Sequence, residues 1–140
     1  MVQVATVLLT VLRLPHAHAP QYPGRTLVFV NTISALRKLS AVLTTLRLPV
    51  HQLHANMQQR QRLKHLERFR DDPRAVLVAT DVAARGLDIP DVRYVVHYHL
   101  PKAPAAFVHR SGRTARGSSE GLALALVVPR EQVSRGAQPR

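Results

Sequence analysis

The sequence predicts an α/β fold, a parallel β-sheet sandwiched by helices. Two observations predict it. Strand-like and helix-like segments alternate from residue 21 onward, and the strand-like runs are apolar along their whole length, as strands covered on both faces must be. Length sets the scale: 140 residues with 46% hydrophobic content suffice for one ordinary domain around a single core.

The elements follow in order. "RTLVFV" (25–30) is a β-branched and aromatic run after Pro23 and Gly24, the mark of a buried strand. A helix comes next, with Thr32 as its N-cap and Ile33, Leu36, Leu39, Leu43 and Leu46 recurring at threes and fours until Pro49. "VHQLH" (50–54) reads as a second strand, and Met57 to Arg70 as a helix with Leu63, Leu66 and Phe69 inward and a basic outer face. "AVLVA" (75–79), "RYVVHY" (93–98) and "GLALALVV" (121–128) read as further strands, with "PAAFVHRSGRT" as the helix between the last two.

Charge narrows the partners. Twenty Lys and Arg against eight Asp and Glu give a net charge of +12, so a polyanion is the first partner to consider. The chain has no cysteine, which excludes disulfides and thiolate metal sites. The apolar run at the start stops at Arg13, too short for a membrane span of about 20 residues, and no cation precedes it as a signal peptide would require. The histidine pairs 16/18 and 97/99 lack a third ligand nearby, so no metal site is expected.

In parallel sheets ligands gather at the carboxyl ends of the strands, which directs attention to "NTIS", "HANMQQRQR" and "TDVAARGLDIP". In the last, Thr80, Asp81, Arg85, Gly86 and Asp88 combine a hydroxyl, a cation, a close-approach glycine and carboxylates able to accept from sugar hydroxyls. An Asp N-cap, a solvated arginine and a turn glycine account for the same residues equally well. "HRSGRTARG" (109–117) spaces Arg110, Arg113 and Arg116 by three, which on a helix crowds like charges at a cost on the order of a few tenths of a kcal/mol per pair. Guanidinium forks match phosphate oxygens, and phosphate is the partner expected to justify the crowding. A solvated basic face is the alternative.

"LVFVNT", "HANMQQRQRLKHLERF", "VLVATDVAARGLDIP" and "YVVHYHLP…FVHRSGRTARG" resemble, in order and spacing, motifs IV, IVa, V and VI of the second RecA-like lobe of DEAD-box ATP-dependent RNA helicases. The resemblance covers residues 21–128 and leaves 1–20 as a divergent leader and 129–140 as a polar tail. It implies a helicase C-terminal RecA-like domain, of P-loop NTPase-like fold. "QYPGRTLVFVN" and the basic second helix are similar to a nucleolar, ribosome-assembly type within the family, which implies a nuclear site of action, the cytoplasm being the alternative.

The resemblance also implies roles. Gly86, Asp88, Arg113 and Arg116 match ATP-binding positions, Asp88 on the ribose and the two arginines on the γ-phosphate, Arg116 as arginine finger. His109 and Arg110 match positions coupling the nucleotide to the other lobe and to RNA, and Asn31, Thr32, Gln59, Arg62, Thr80 and Asp81 match positions along the RNA backbone. Departures are Ala115 for a glycine, and Ala55 and Asn56 for a glycine and an aspartate. These 140 residues contain no Gly-x-x-x-x-Gly-Lys-Ser/Thr loop and no DEAD box, so ATP with Mg²⁺ is expected to be held mainly by a first lobe, and this chain alone to be inactive as an ATPase. The expected partners are RNA and that first lobe, with no membrane and with the chain a monomer. A standalone non-catalytic RNA-binding module, or a truncated fragment without function, are the alternatives.

Overall fold

The structure, a computed structural model, describes residues 24–85, 87, 89–90, 92–114 and 121–127. Gly86, Asp88, Ala115, Arg116, the leader and the tail lie outside the described residues. In chain order the elements are β1 (Thr26–Val30), α1 (Ile33–Thr45), β2 (Val50–Leu53), α2 (Gln59–Asp71), β3 (Val76–Thr80), the one-turn α3 (Asp81–Ala84), β4 (Tyr94–His97), α4 (Pro104–Ser111) and β5 (Leu122–Ala125). The strands pair in parallel, in a five-stranded sheet of order β2-β3-β1-β4-β5.

The alternation of side chains along the strands divides the core in two. Leu27, Phe29, Leu77, Ala79 and Val95 face α2, which covers them with Leu66 and Phe69. Val28, Val30, Val76, Val78 and Val96 face α1, which covers them with Leu36, Leu39 and Leu43. The sandwich read from the sequence is therefore present, and β1 and β3 are buried at every position because both faces are covered. Gly24 leads into β1 so close to Arg93 that a Cβ there would collide with the arginine side chain.

Three expectations need correction. Leu46 does not extend the apolar stripe of α1. The helix ends at Thr45, Leu46 is its C-cap and 39% exposed, and Arg47 turns the chain away in the left-handed region at φ 61°. Leu63 is not inward either: it is 47% exposed, because the neighbouring inward position is taken by Arg62, whose Nη2 donates to the Ala83 carbonyl at 2.8 Å. Finally, α4 stops at Ser111 and is capped by Gly112, so Arg113 lies beyond the helix. Arg110 and Arg113 therefore do not share a helical face. Thr114 draws the chain back to the sheet through its hydroxyl, which donates to the carbonyls of Val92 at 2.6 Å and Arg93 at 3.1 Å.

Candidate functional site

Register decides which loops meet. Val30 is paired with Thr80 and Phe29 with His97, so the chain leaves β1, β3 and β4 side by side, carrying Asn31, Asp81 and His99 to one rim. Helix α4 delivers Arg110 into their midst.

Arg110 is 2% exposed and makes four hydrogen bonds there. Its Nε and Nη2 form a fork on the Asp81 carboxylate, each at 2.7 Å; Nη1 donates to the His99 carbonyl at 2.7 Å, and Nη2 also donates to Asn31 Oδ1 at 2.8 Å. The guanidinium sits 5.1 Å above the Phe29 ring, close enough for a cation–π attraction. Asn31 is committed on its other side too: Nδ2 donates to the Leu100 carbonyl at 2.8 Å, and its backbone N–H donates to His99 Nδ1 at 3.2 Å. The negative partner that the sequence left to a phosphate is, for Arg110, a carboxylate of this chain.

Around this pair opens a cavity of about 390 Å³ whose wall includes Phe29, Asp81, Arg85, His109, Arg110 and Arg113. Its cations differ in standing. Arg110 is spent on Asp81, whereas the half-buried Arg113 guanidinium and the exposed Arg85 have no side-chain partner among the described residues. Such a wall presents unpaired positive charge to whatever enters. It offers no free carboxylate among the described residues, since Asp81 is occupied.

Beneath the rim, His97 is fully buried, stacked on Phe107 at 4.3 Å between ring centroids, with Nε2 3.0 Å from Ser111 Oγ. Its pKa is lowered to about 4, first by burial and then by the Arg110 charge, with Asp81 opposing. The imidazole is therefore neutral at neutral pH.

The residues expected along an RNA backbone are spread over the same edge. Thr32 caps α1, its hydroxyl accepting from the Ala35 N–H at 3.2 Å; Gln59 is exposed at the first turn of α2; Thr80 is 7% exposed at the end of β3; Arg62 is tied to Ala83. His109 is exposed beside the cavity. The structure thus brings Asn31, Asp81 and Arg110 together, sets Arg113 and His109 on the cavity wall, and leaves Gln59 and Arg62 on the flank. Sequence reasoning missed Phe29 as the floor under the guanidinium and His99 as its third anchor, whereas Arg85, read as the cation of its loop, does line the cavity. A residue immediately following a strand, as His99 follows "YVVHY", is the signal that would have found the anchor.

Against known proteins, the helicase conserved C-terminal domain model matches residues 6–118. The chain is 55% identical over 112 residues to the ATP-dependent RNA helicase ddx24 of Dictyostelium discoideum, a match covering 80% of this chain and 12% of that protein. It spans only that small share of the relative's length. Among solved structures it is similar to the Escherichia coli DEAD-box protein SrmB bound to regulator of ribonuclease activity A, with TM-score 0.80 and 34% identity over 97% of this chain and 77% of that one. It is also similar to helicase domain 2 of the DEAD-box protein Mss116p bound to an RNA duplex, with TM-score 0.79 and 27% identity over 92% and 51% of the two chains.

Proposed function

This chain belongs to the DEAD-box family, as its helicase conserved C-terminal domain, and from that premise we propose that it is the lobe that closes on ATP and RNA held by a first lobe. The single observation that carries the reading is the cavity at the strand ends, where Arg113 lines the wall with no side-chain partner among the described residues while Arg110 is held by Asp81. Arg113, with Arg116, supplies cations to the γ-phosphate, and Gly86 and Asp88 approach the nucleotide, Asp88 at the ribose. His109 transmits closure to the other lobe.

The donor set fits a triphosphate offered from outside. A wall of arginines attracts phosphate oxygens, and with Asp81 held by Arg110 no free carboxylate for Mg²⁺ lines the cavity among the described residues; a first lobe would hold the metal, which would supply charge neutralisation at the phosphates. RNA runs along the rim past Thr32, Gln59 and Thr80. Contacts to phosphate rather than base edges make that grip independent of sequence and weaker with salt. Asn31, Asp81, Arg62 and Arg110 serve it by fixing the loops. The setting proposed is RNA remodelling in the nucleolus, in ribosome assembly, the reading suggested by the resemblance of "QYPGRTLVFVN" and the basic second helix.

The test mixes this chain with a separately prepared DEAD-box first lobe and follows RNA-stimulated ATP hydrolysis. The chain alone is expected to be inactive and the mixture active. RNA binding without any gain in turnover would favour a standalone binding module, and hydrolysis by the chain alone would overturn the reading.

A further inference from the structure

Strand β2 is the terminal strand of the sheet, and its free edge is unusual in what lines it. An edge strand offers unpaired backbone groups, and here the Gln52 N–H is taken by His65 Nδ1 of α2 at 3.1 Å, so this donor is withheld from another strand. The closing ring does not stand alone. His51 meets His65 edge-on at 5.9 Å between centroids, and His54 follows at the end of the strand. The charge of Arg37 on α1, which covers one face of the sheet, is felt at His54, and the charges of Lys64 and Arg68 on α2, which covers the other face, are felt at His65, that of Arg68 at His51 as well.

This is a surface of interleaved rings and cations. Arg37, Lys64 and Arg68 are exposed and make no ion pair within 4 Å with a described acid. The acids on or beside α2 are Glu67, Asp71 and Asp72, and Asp72 accepts from the backbone N–H of Arg74 at 2.8 Å. Lys64 and Arg68 are one helical turn apart, a placement that costs stability rather than supplying it. All three imidazoles have lowered pKa values, first from burial and then from nearby positive charge, His51 ahead of Arg68 and Lys64 at His65, and Arg68 opposed by Asp72 at His51, which favours neutral rings beside the cations. Protein partners favour apolar and aromatic cores with few charges; single-stranded nucleic acid favours rings for bases beside cations for phosphates. We propose that the β2 edge, through Arg37, Lys64, Arg68 and the half-buried His51 and His65, is a second track for single-stranded RNA, continuing from Gln59 at the rim along the outside of the lobe.

The proposal rests on the RNA reading above but is separable from it. The experiment measures binding of labelled oligouridylate to the full chain by fluorescence anisotropy across a salt series, for wild type, R37Q/K64Q/R68Q and R47Q. Each single-strand phosphate contact contributes about 0.7 to the slope of log affinity against log salt, so the triple variant is expected to lower the slope by about 2 with an unchanged thermal melt, and R47Q to leave it in place. A wild-type chain that binds no RNA would overturn both readings. A slope unchanged in the triple variant, with wild-type binding intact, would overturn the track alone. So would an equal loss per charge in R47Q, the mark of diffuse attraction, or polyglutamate binding as well as RNA and equally sensitive to the triple change, the mark of a protein-docking face.

Discussion

Arg110 and Arg113 are the same residue type, three positions apart in one motif, and they have opposite fates. Arg110 is 2% exposed, with its fork on Asp81, its other donors on His99 and Asn31, and Phe29 beneath. Arg113 is half-buried, and its guanidinium faces a cavity with no described partner. One joins three loops of the lobe; the other is kept available. What separates them is where the helix stops: Gly112 ends α4, so Arg110 is aimed inward by the last turn while Arg113 departs along the wall.

The largest expected effect breaks this contrast in function. Arg113→Ala, in the mixture with a first lobe, is expected to lower ATP turnover by about a hundred- to a thousandfold, as loss of one preorganised group that stabilises transition-state charge does. The same change should move unfolding free energy by no more than about 0.5 kcal/mol, since nothing in the fold leans on that guanidinium. A destabilised Arg113→Ala chain in urea would put Arg113 with Arg110 and erase the distinction.

Next comes the pair itself, where the two deletions are unequal. Asp81→Ala strands a guanidinium that is 1% exposed and is expected to cost about 3–5 kcal/mol in urea unfolding. Arg110→Met strands a carboxylate that is 31% exposed and can be rehydrated, and its apolar chain still covers Phe29, so about 1–3 kcal/mol is expected. A larger loss for Arg110→Met than for Asp81→Ala would mean that packing, not charge, decides this site.

The contrast also marks how far the sequence could be read. Continuous apolar runs with β-branched residues gave the strands and their parallel arrangement, because burial on both faces removes the polar alternation. The strand ends pointed to the rim where Asn31, Asp81 and Arg110 meet. The division of labour among the arginines was not legible, since "HRSGRTARG" has the same charge at each position and only the cap at Gly112 and the register that seats Asp81 beside Asn31 tell them apart. Asn31 and Asp81 read as contacts for an external backbone, yet their side chains answer to Arg110 from 79 and 29 residues away in sequence. Long-range pairing of that kind leaves no local pattern.

A smaller effect sharpens the comparison from below, through the buried ring next to Arg110. The native pKa of His97, about 4, lies below the ordinary 6.5, so between those values the unfolded chain binds a proton that the native chain refuses. The associated stability is present above pH 6.5 and is lost as pH falls toward 4, about 3 kcal/mol at 1.36 kcal/mol per unit. His51, His54 and His65 act in the same direction. His97→Phe keeps the stack on Phe107 and should flatten this part of the acid limb in urea midpoints measured from pH 7 to pH 4. Identical limbs for variant and wild type would show that the Arg110 neighbourhood does not hold the ring neutral.

The smallest effect is expected at Leu63 of α2, which with Leu66 repeats the lesson of the arginines in apolar form. Both carry the periodicity of an inward face, but Leu66 is 3% exposed against the sheet and Leu63 is 47% exposed, displaced by an arginine stem that reaches the Ala83 carbonyl. Leu66→Ala should cost about 2–5 kcal/mol through the cavity it leaves. Leu63→Gln should fall within about 0.5 kcal/mol of wild type, because water already reaches half of the side chain. If Leu63→Gln cost as much as Leu66→Ala, the helix would have to be rotated about its axis, with Arg62 turned outward and its bond to Ala83 lost. Helix periodicity alone ranks the two leucines as equals, so the ratio of the two costs tests whether a polar anchor can set the roll of a helix against its apolar stripe.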